Sequence, residues 1–398
     1  MRDSATALRL PGLPRLAGAL TLAELGETLA SVALAVVVFG ESGSVLATGA
    51  FFVAARLGPA FASQPLAAFI DRAAGRRGLA LCFAVEAVLF ALLALPLPVA
   101  VLIVVPLATG TLAVCCRSVT RAEAAVRLTR ADELRAGNGL LNIGFAIAGT
   151  VGAAAGGALA ALTTPKVPLF AAGACFLIGA LLVGRTPRAR PEAEAENALA
   201  HLREGLAFAR SDRNAFVLIS VQTAALLAFM LVIPIEVVYA ERDLHVGAGG
   251  YGALLATWGA GIIVGGAMFA RARSALTLLA ATASLAVAAA YGGLALAPNL
   301  VIACVASLVG GVGNGVQWVA VMTALQERVP EAMQVRVVGL LDAGAQLAPG
   351  LGFALGSVLT AVLSARATYA VAGLATTVAA IAFFVIHTRA SRRFAAVL

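Results

Sequence analysis

Charge is scarce in this sequence. Only 12% of its 398 residues are Asp, Glu, Lys or Arg, against about 25% in a soluble domain. With 61% hydrophobic residues, the chain has too few polar side chains to coat its own apolar mass in water. That excludes a string of soluble domains and a disordered chain, and requires a surface that faces lipid. Histidine is almost missing: His201, His245 and His387 stand far apart in loops or at a span end, so they offer no metal or catalytic cluster. Five cysteines are too few for a disulfide scaffold. Cys82, Cys175 and Cys304 fall inside apolar runs and Cys115 and Cys116 are adjacent, so none has zinc-ligand or redox C-x-x-C spacing, and all read as small buried hydrophobes. The 41 glycines follow no triplet period, which excludes a collagen-like chain. No G-x-x-x-x-G-K-[ST] stretch occurs, so there is no intrinsic ATPase motor. Gly247-Ala-Gly249-Gly-Tyr-Gly252 satisfies G-x-G-x-x-G, but no strand precedes it, and a dinucleotide site needs that βαβ setting. No cofactor and no metal are expected.

What is abundant is apolar sequence in long runs. A spanning helix needs about 20 mostly apolar residues. Such runs fall near 16–40, 45–69, 78–98, 99–119, 138–162 and 167–185, and again near 214–240, 248–270, 274–296, 299–323, 337–363 and 366–388. Twelve spans are predicted, six on each side of a polar segment. Ala, Val, Leu and Gly run on without two-residue alternation, which excludes a lipid-facing β-barrel and leaves helices to satisfy the backbone in lipid. The expected organisation is a tail over 1–15, a six-helix bundle over 16–185, a linker over 186–213, a second six-helix bundle over 214–388 and a tail over 389–398. The opening run is too long for a signal h-region and shows no clear cleavage site, so it reads as an uncleaved first span. Arg190-Pro191-Glu-Ala-Glu-Ala-Glu196 reads as a flexible connector, and the segment after it as an interfacial helix with Leu199, Leu202 and Leu206 toward lipid.

The net charge of +8 comes from arginines scattered over many loops. On the predicted map, all but four of the 28 basic residues lie on one side: the N-terminus, the loops at 71–77, 117–135, 271–273 and 328–336, the central segment and the tail. The exceptions are Lys166, Arg242 and Arg366 on the other side and Arg56 within a span. This bias places both termini and the central segment in the cytoplasm of a multi-pass protein of the cell membrane, and it accounts for the basic charge without nucleic acid.

The chain also repeats itself. Shifted by 200 positions, Gly139-Leu140-Leu141 falls on Gly339-Leu340-Leu341. Gly144, Ala148, Gly152, Ala154, Gly156 and Leu159 meet Gly344, Ala348, Gly352, Ala354, Gly356 and Leu359, and Gly110 meets Gly310. Two related six-helix halves are the architecture of an alternating-access transporter with its substrate site near the midplane.

Four stretches carry a family resemblance. Pro65-Leu-Ala-Ala-Phe-Ile-Asp71-Arg72-Ala-Ala-Gly75-Arg76-Arg77 is similar to G-x-L-A-D-R-x-G-R-R, and Gly152-Ala-Ala-Ala-Gly156-Gly157 looks like the antiporter motif G-P-x-x-G-G. Leu202-Arg-Glu-Gly205-Leu-Ala-Phe-Ala-Arg210-Ser-Asp-Arg resembles an amphipathic lead-in to span seven, and Arg328-Val-Pro-Glu331 through Val335-Arg336-Val-Val-Gly339 resembles the loop before span eleven. Along its whole length the sequence resembles the major facilitator superfamily, and most of all its efflux branch of enterobactin-exporter-like and macrolide-efflux-like proteins. It departs from those patterns at Ala67, at an additional alanine before Gly75, at Ala153 in place of proline, and at Leu107 where many drug–proton antiporters carry arginine. The resemblance implies an all-α membrane protein of twelve helices in two pseudo-symmetric bundles, not an enzyme. It implies a monomer that moves a small molecule by alternating access, with Asp71, Arg72, Gly75, Arg76 and Arg77 as a cytoplasmic latch between the halves. It implies an antiporter-type role for Gly152, Gly156 and Gly157, whose spacing by itself reads equally as close helix packing.

Ionisable residues inside spans cost about 2.5–3.5 kcal/mol near a helix centre and so point to function. Glu24 and Glu27 are three apart and share a face of span one; Arg56 lies in span two and Glu86 in span three. Burial and the charge of Arg56 act on such a carboxyl in opposite directions, which suits a group that takes and releases a proton. A fixed ion pair holding spans one and two is the plainer reading, but it needs only one carboxylate. The resemblance ranks Glu27 and Glu24 above Glu86, because span one lines the family's cavity. Asp342 in span eleven is a further candidate, or a partner for Arg336. Arg117 reads as a residue that snorkels at the cytoplasmic end of span four, and Glu236 as an interfacial residue at the outer end of span seven.

The second half offers Gln222, Asn314, Gln317 and Trp318 at central positions, without a midplane arginine or lysine. Apolar surface with a few amides suits a hydrophobic or amphiphilic solute better than a phosphate or carboxylate. The expected activity is export of a small organic compound such as a drug, siderophore or natural product in exchange for protons. Import of a small neutral solute on the same fold and a receptor without flux remain as alternatives, since alternating access is reversible.

Overall fold

The computed structural model describes residues 10–69, 75–128, 131–186, 207, 210, 213–272, 275–329 and 331–395. These residues form twelve long helices and no strand. The first six are α1 (Leu13–Ser42), α2 (Val45–Phe69), α3 (Gly75–Leu93), α4 (Val99–Ala125), α5 (Ala131–Leu162) and α6 (Val167–Gly184). The rest are α7 (Arg213–Val232), α8 (Gly247–Phe269), α9 (Leu276–Leu296), α10 (Leu300–Arg328), α11 (Glu331–Val362) and α12 (Ala365–Ala395). Nine of them carry a described stretch long and apolar enough to cross a membrane; α2 and α11 carry the shorter apolar stretches Val45–Arg56 and Ala348–Val362.

Helix α3 shows how these elements invert the pattern of a soluble protein. Leu81, Val85, Val88 and Leu92 recur at helical spacing and all are exposed, between 39% and 63%. The opposite face buries Leu79, Phe83 and Phe90, and Phe83 and Phe90 lie 5.9 and 5.3 Å from the ring of Phe176 on α6. An apolar stripe left uncovered on one side and a packed core on the other is the arrangement lipid solvation stabilises.

The chain divides into two compact units, Met1–Glu194 with Val246–Ala256, and Ala195–His245 with Thr257–Leu398. Inside the first, α1 packs on α5 and α6, and α3 on α6; inside the second, α7 packs on α11 and α12, and α9 on α12. The pairings match helix for helix, six elements apart.

The glycines of the sequence repeat explain the match. A Cβ on Gly152 would stand 2.9 Å from Thr28, and one on Gly156 3.2 Å from Val32, both on α1. Their counterparts Gly352 and Gly356 abut Met230 and the carbonyl of Leu231 on α7. In each unit the bare backbone of one helix seats the other. Because the neighbour of Gly356 is backbone, which cannot rotate aside, Gly356→Ala is expected to destabilise the protein by about 1–3 kcal/mol. Thermal unfolding in detergent checks this, and an unchanged midpoint would contradict the seat.

Helix α7 is the irregular element. Past Val232 it tightens to a 3-10 turn at Ile233–Ile235 around Pro234, returns to α geometry at Glu236–Val238 and widens to a π-turn at Tyr239–Asp243. Proline removes a backbone donor and disrupts the ladder there.

Candidate functional site

Two groups of polar side chains gather within the helical units, one in each. In the first, Glu24 and Glu27 project from one face of α1, as their spacing predicts, and meet Arg117 of α4. Arg117 Nη1 lies 3.5 Å from Glu24 Oε2 and also pairs with Glu27 Oε2. The three side chains are 14%, 25% and 16% exposed, so the pairs are largely but not wholly removed from solvent. Arg117 is thus no snorkelling residue. The carboxylates hold it inside, because two acids on one face provide more attraction than the distant headgroup region.

Arg56, expected to neutralise the acids, is exposed and makes no ion pair with any described residue, although it lies within electrostatic reach of Glu24. Arg121, on α4 beside Arg117, sits 5.8 Å over the ring of Phe145. Glu24, Glu27 and three arginines therefore share one region.

Glu86 lies elsewhere. It is fully buried on the inner face of α3, with neither carboxylate oxygen hydrogen-bonded. The nearby polarisable groups are the thiols of Cys82, Cys115 and Cys116, and Cys115 donates to the carbonyl of Ser63 at 3.1 Å. No group of described residues there, or anywhere else described, could hold a metal ion. Glu86 is not brought to the acid–arginine group by any ion pair among the described residues.

In the second unit, Gln222, Asn314, Gln317 and Trp318 meet at one cavity of about 210 Å³, whose apolar wall includes Phe229 and Ile262. Asn314, Gln317 and Trp318 present one face of α10 by their spacing; Gln222 comes from α7. Gln222 and Gln317 are 6% and 5% exposed, and Gln222 Oε1 and Gln317 Nε2 have no hydrogen-bond partner. Buried amides left unsatisfied cost about 1–3 kcal/mol each, a cost a ligand that bonds them removes.

Glu236 departs from expectation. It is 5% exposed, not interfacial, because the irregular stretch of α7 turns it into the unit.

Of the remaining candidates, Gly157 is seated so that a Cβ would come 2.6 Å from Gly252 Cα, at the start of α8 and in the same compact unit. The G-x-G-x-x-G run thus includes a glycine used for packing. Asp71 and Arg72 lie outside the described residues, as does the linker that carries Leu199, Leu202 and Leu206. Gly75 and Arg76 open α3, Arg77 is exposed, and Asp342 lies on α11.

The family model of the Major Facilitator Superfamily matches residues 16–291 and 218–397. The chain belongs to the major facilitator superfamily. No curated protein matches it by sequence. Among solved structures it is similar to a nucleoside transporter, NupG, at 13% identity and a TM-score of 0.69, over 94% of this chain and 99% of that one. A bacterial homologue of the human lysosomal transporter Spinster, inward-facing and occupied, matches at 14% identity and 0.72, over 95% and 96%. A D-xylose–proton symporter matches at 15% and 0.69, over 93% and 96%. At such identities the likeness gives the fold. The protein is a multi-pass secondary transporter of the superfamily, not an enzyme, with a small molecule as substrate.

Proposed function

We propose that this transporter exports a small hydrophobic or amphiphilic organic compound across the cell membrane in exchange for protons, as a monomer with both termini in the cytoplasm. The observation that carries the reading is the pairing of Glu24 and Glu27 with the single Arg117. Among the described residues Arg117 alone pairs directly with these acids, and Arg56 and Arg121 act on Glu24 from farther away. One direct partner shared by two carboxylates leaves the second as the group that binds and releases a proton as access alternates. The cavity beside Gln222 and Gln317, apolar apart from its amides, supports an amphiphilic solute. The resemblance of the sequence to the efflux branch, including the glycines at 152, 156 and 157, supports the outward direction and the antiport. Asp71 with Arg72, Arg76 and Arg77 is the proposed latch, and Asp342 a further titrating candidate.

Reconstituted vesicles test the whole reading. An imposed pH gradient is expected to drive an aromatic amphiphile against its concentration gradient and to move protons the other way. Flux that ignores the pH gradient, or substrate moving with the protons, would replace the antiporter by a facilitator or an importer.

A further inference from the structure

Two helix faces frame the cavity of the second unit. Gln222, Ala225, Leu226 and Phe229 recur at i, i+3, i+4 and i+7 along α7, and Asn314, Gln317 and Trp318 at i, i+3 and i+4 along α10. Ile262 of α8 and Val287 of α9 also line it. Both of those neighbours are seated on α10 through glycine. Gly315 lies against the carbonyl of Ile262, and a Cβ on Gly313 would stand 2.7 Å from the carbonyl of Ala283 and 3.0 Å from Val287. The position of that side of the cavity is therefore set by backbone contact, not by rotamers.

The chemistry of the lining is narrow. Among the described residues that form it, three are carboxamides and none is ionisable. A charged group placed there would have no counter-charge, and burying an unpaired charge is prohibitive. What the cavity does hold is one unpaired acceptor, Gln222 Oε1, and one unpaired donor, Gln317 Nε2, on side chains only 6% and 5% exposed. They do not bond each other. A solute that serves both must donate to the first and accept from the second. An amide or lactam carries its N–H and C=O side by side on one planar group, whereas an ester or ketone offers only acceptors and leaves Gln222 Oε1 unserved. Phe229, stacked on Trp258 at 5.6 Å, and Trp318 place aromatic surface on the same wall, which suits a flat ring next to the amide. At about 210 Å³ the cavity is smaller than the roughly 300–1,000 Å³ that holds a whole drug-sized ligand, so it takes one end of the solute.

We propose that this cavity recognises an uncharged amide, with the solute's N–H donating to Gln222 Oε1 and its carbonyl accepting from Gln317 Nε2. The polar end of the exported amphiphile is then a carboxamide or lactam. This assignment rests on the export reading above and narrows its substrate class.

Calorimetry on the full chain in detergent tests it with two bicyclic compounds of one shape. Carbostyril is an aromatic lactam, and coumarin is the corresponding lactone, with oxygen in place of the N–H. Wild-type protein is expected to bind carbostyril about five- to tenfold more tightly than coumarin, the worth of one buried hydrogen bond. Gln222→Leu is expected to erase that preference while keeping the affinity for coumarin, which also shows the variant to be folded. Gln317→Leu is expected to weaken both compounds alike and keep the preference, because both present a carbonyl. A purely structural role for the two glutamines does not produce this crossed pattern. No preference in the wild type, or one that survives Gln222→Leu, overturns the assignment. Naphthol binding as tightly as carbostyril also overturns it, since a single hydroxyl would then suffice. So does the lack of saturable carbostyril binding, which would leave the amides to water alone. Should Gln222→Leu aggregate, the unbranched Gln222→Met carries the comparison by the same criteria. Vesicle transport separates the failures. Carbostyril that binds as described but ignores a pH gradient sinks the export reading and leaves the amide site standing. Gradient-driven export of an amide-free amphiphile, with no lactam preference in binding, does the reverse.

Discussion

Glu27→Gln is expected to cut pH-gradient-driven flux by about tenfold or more while leaving substrate exchange without a gradient near the wild-type rate. A tenfold change corresponds to about 1.4 kcal/mol, well within what an intramembrane carboxyl contributes. The reason for the split lies in the geometry. Arg117 pairs with both Glu24 and Glu27, at 3.5 Å to the former. Removing the titratable group of Glu27 leaves Arg117 balanced by Glu24, so the bundle stays intact and only the mobile proton is lost. Arg117→Gln is the contrasting variant. It leaves two acids facing each other with no direct cation, and breaking a buried pair costs about 3–5 kcal/mol when burial is complete. With side chains 14–25% exposed here, the lower end of that range is expected, seen as a fall in melting temperature together with flux. If Glu27→Gln kept gradient-driven flux while Arg117→Gln lost only stability, the acids would be a fixed brace and not the coupling device.

The second large effect runs in opposite directions for stability and binding. Gln317→Leu is expected to raise the melting temperature, because Gln317 Nε2 is buried and unsatisfied and its removal recovers about 1–3 kcal/mol. The same change is expected to weaken substrate binding by about 2- to 12-fold, the worth of one hydrogen bond of about 0.5–1.5 kcal/mol. Gln222→Leu is expected to act likewise, since Gln222 Oε1 faces the same cavity without a partner. Ligand binding by calorimetry and thermal unfolding measure the two arms. A glutamine that loses stability without losing affinity would be a structural residue of α7 or α10.

The fold was legible because lipid leaves few choices: an apolar run long enough to cross must be a helix, and a repeat at half the chain length must be a pair of bundles. The glycines at 152, 156, 352 and 356 showed the repeat, and the structure gives them one shared task. The cavity was half legible. Asn314, Gln317 and Trp318 share a face by their spacing, but that Gln222 joins them depends on how α7 packs against α10. The partner of the acids was misplaced for a related reason. Spacing fixes which residues share a face of one helix, and it says nothing about which arginine of another helix reaches them; depth pointed to Arg56 where packing supplies Arg117. Glu236 was misread because distance along a helix gives depth and not direction. Pro234 was the available signal, a proline where the ladder should run unbroken.

The glycine seats have a mechanical corollary. Where Gly356 rests on the carbonyl of Leu231, no rotamer stands between the rods to absorb a sliding motion, so α7 and α11 tilt as one strut over that stretch. Compliance has to be found beyond the seat, and the first place α7 offers it is the irregular winding from Ile233 to Asp243, the very segment that carries Glu236.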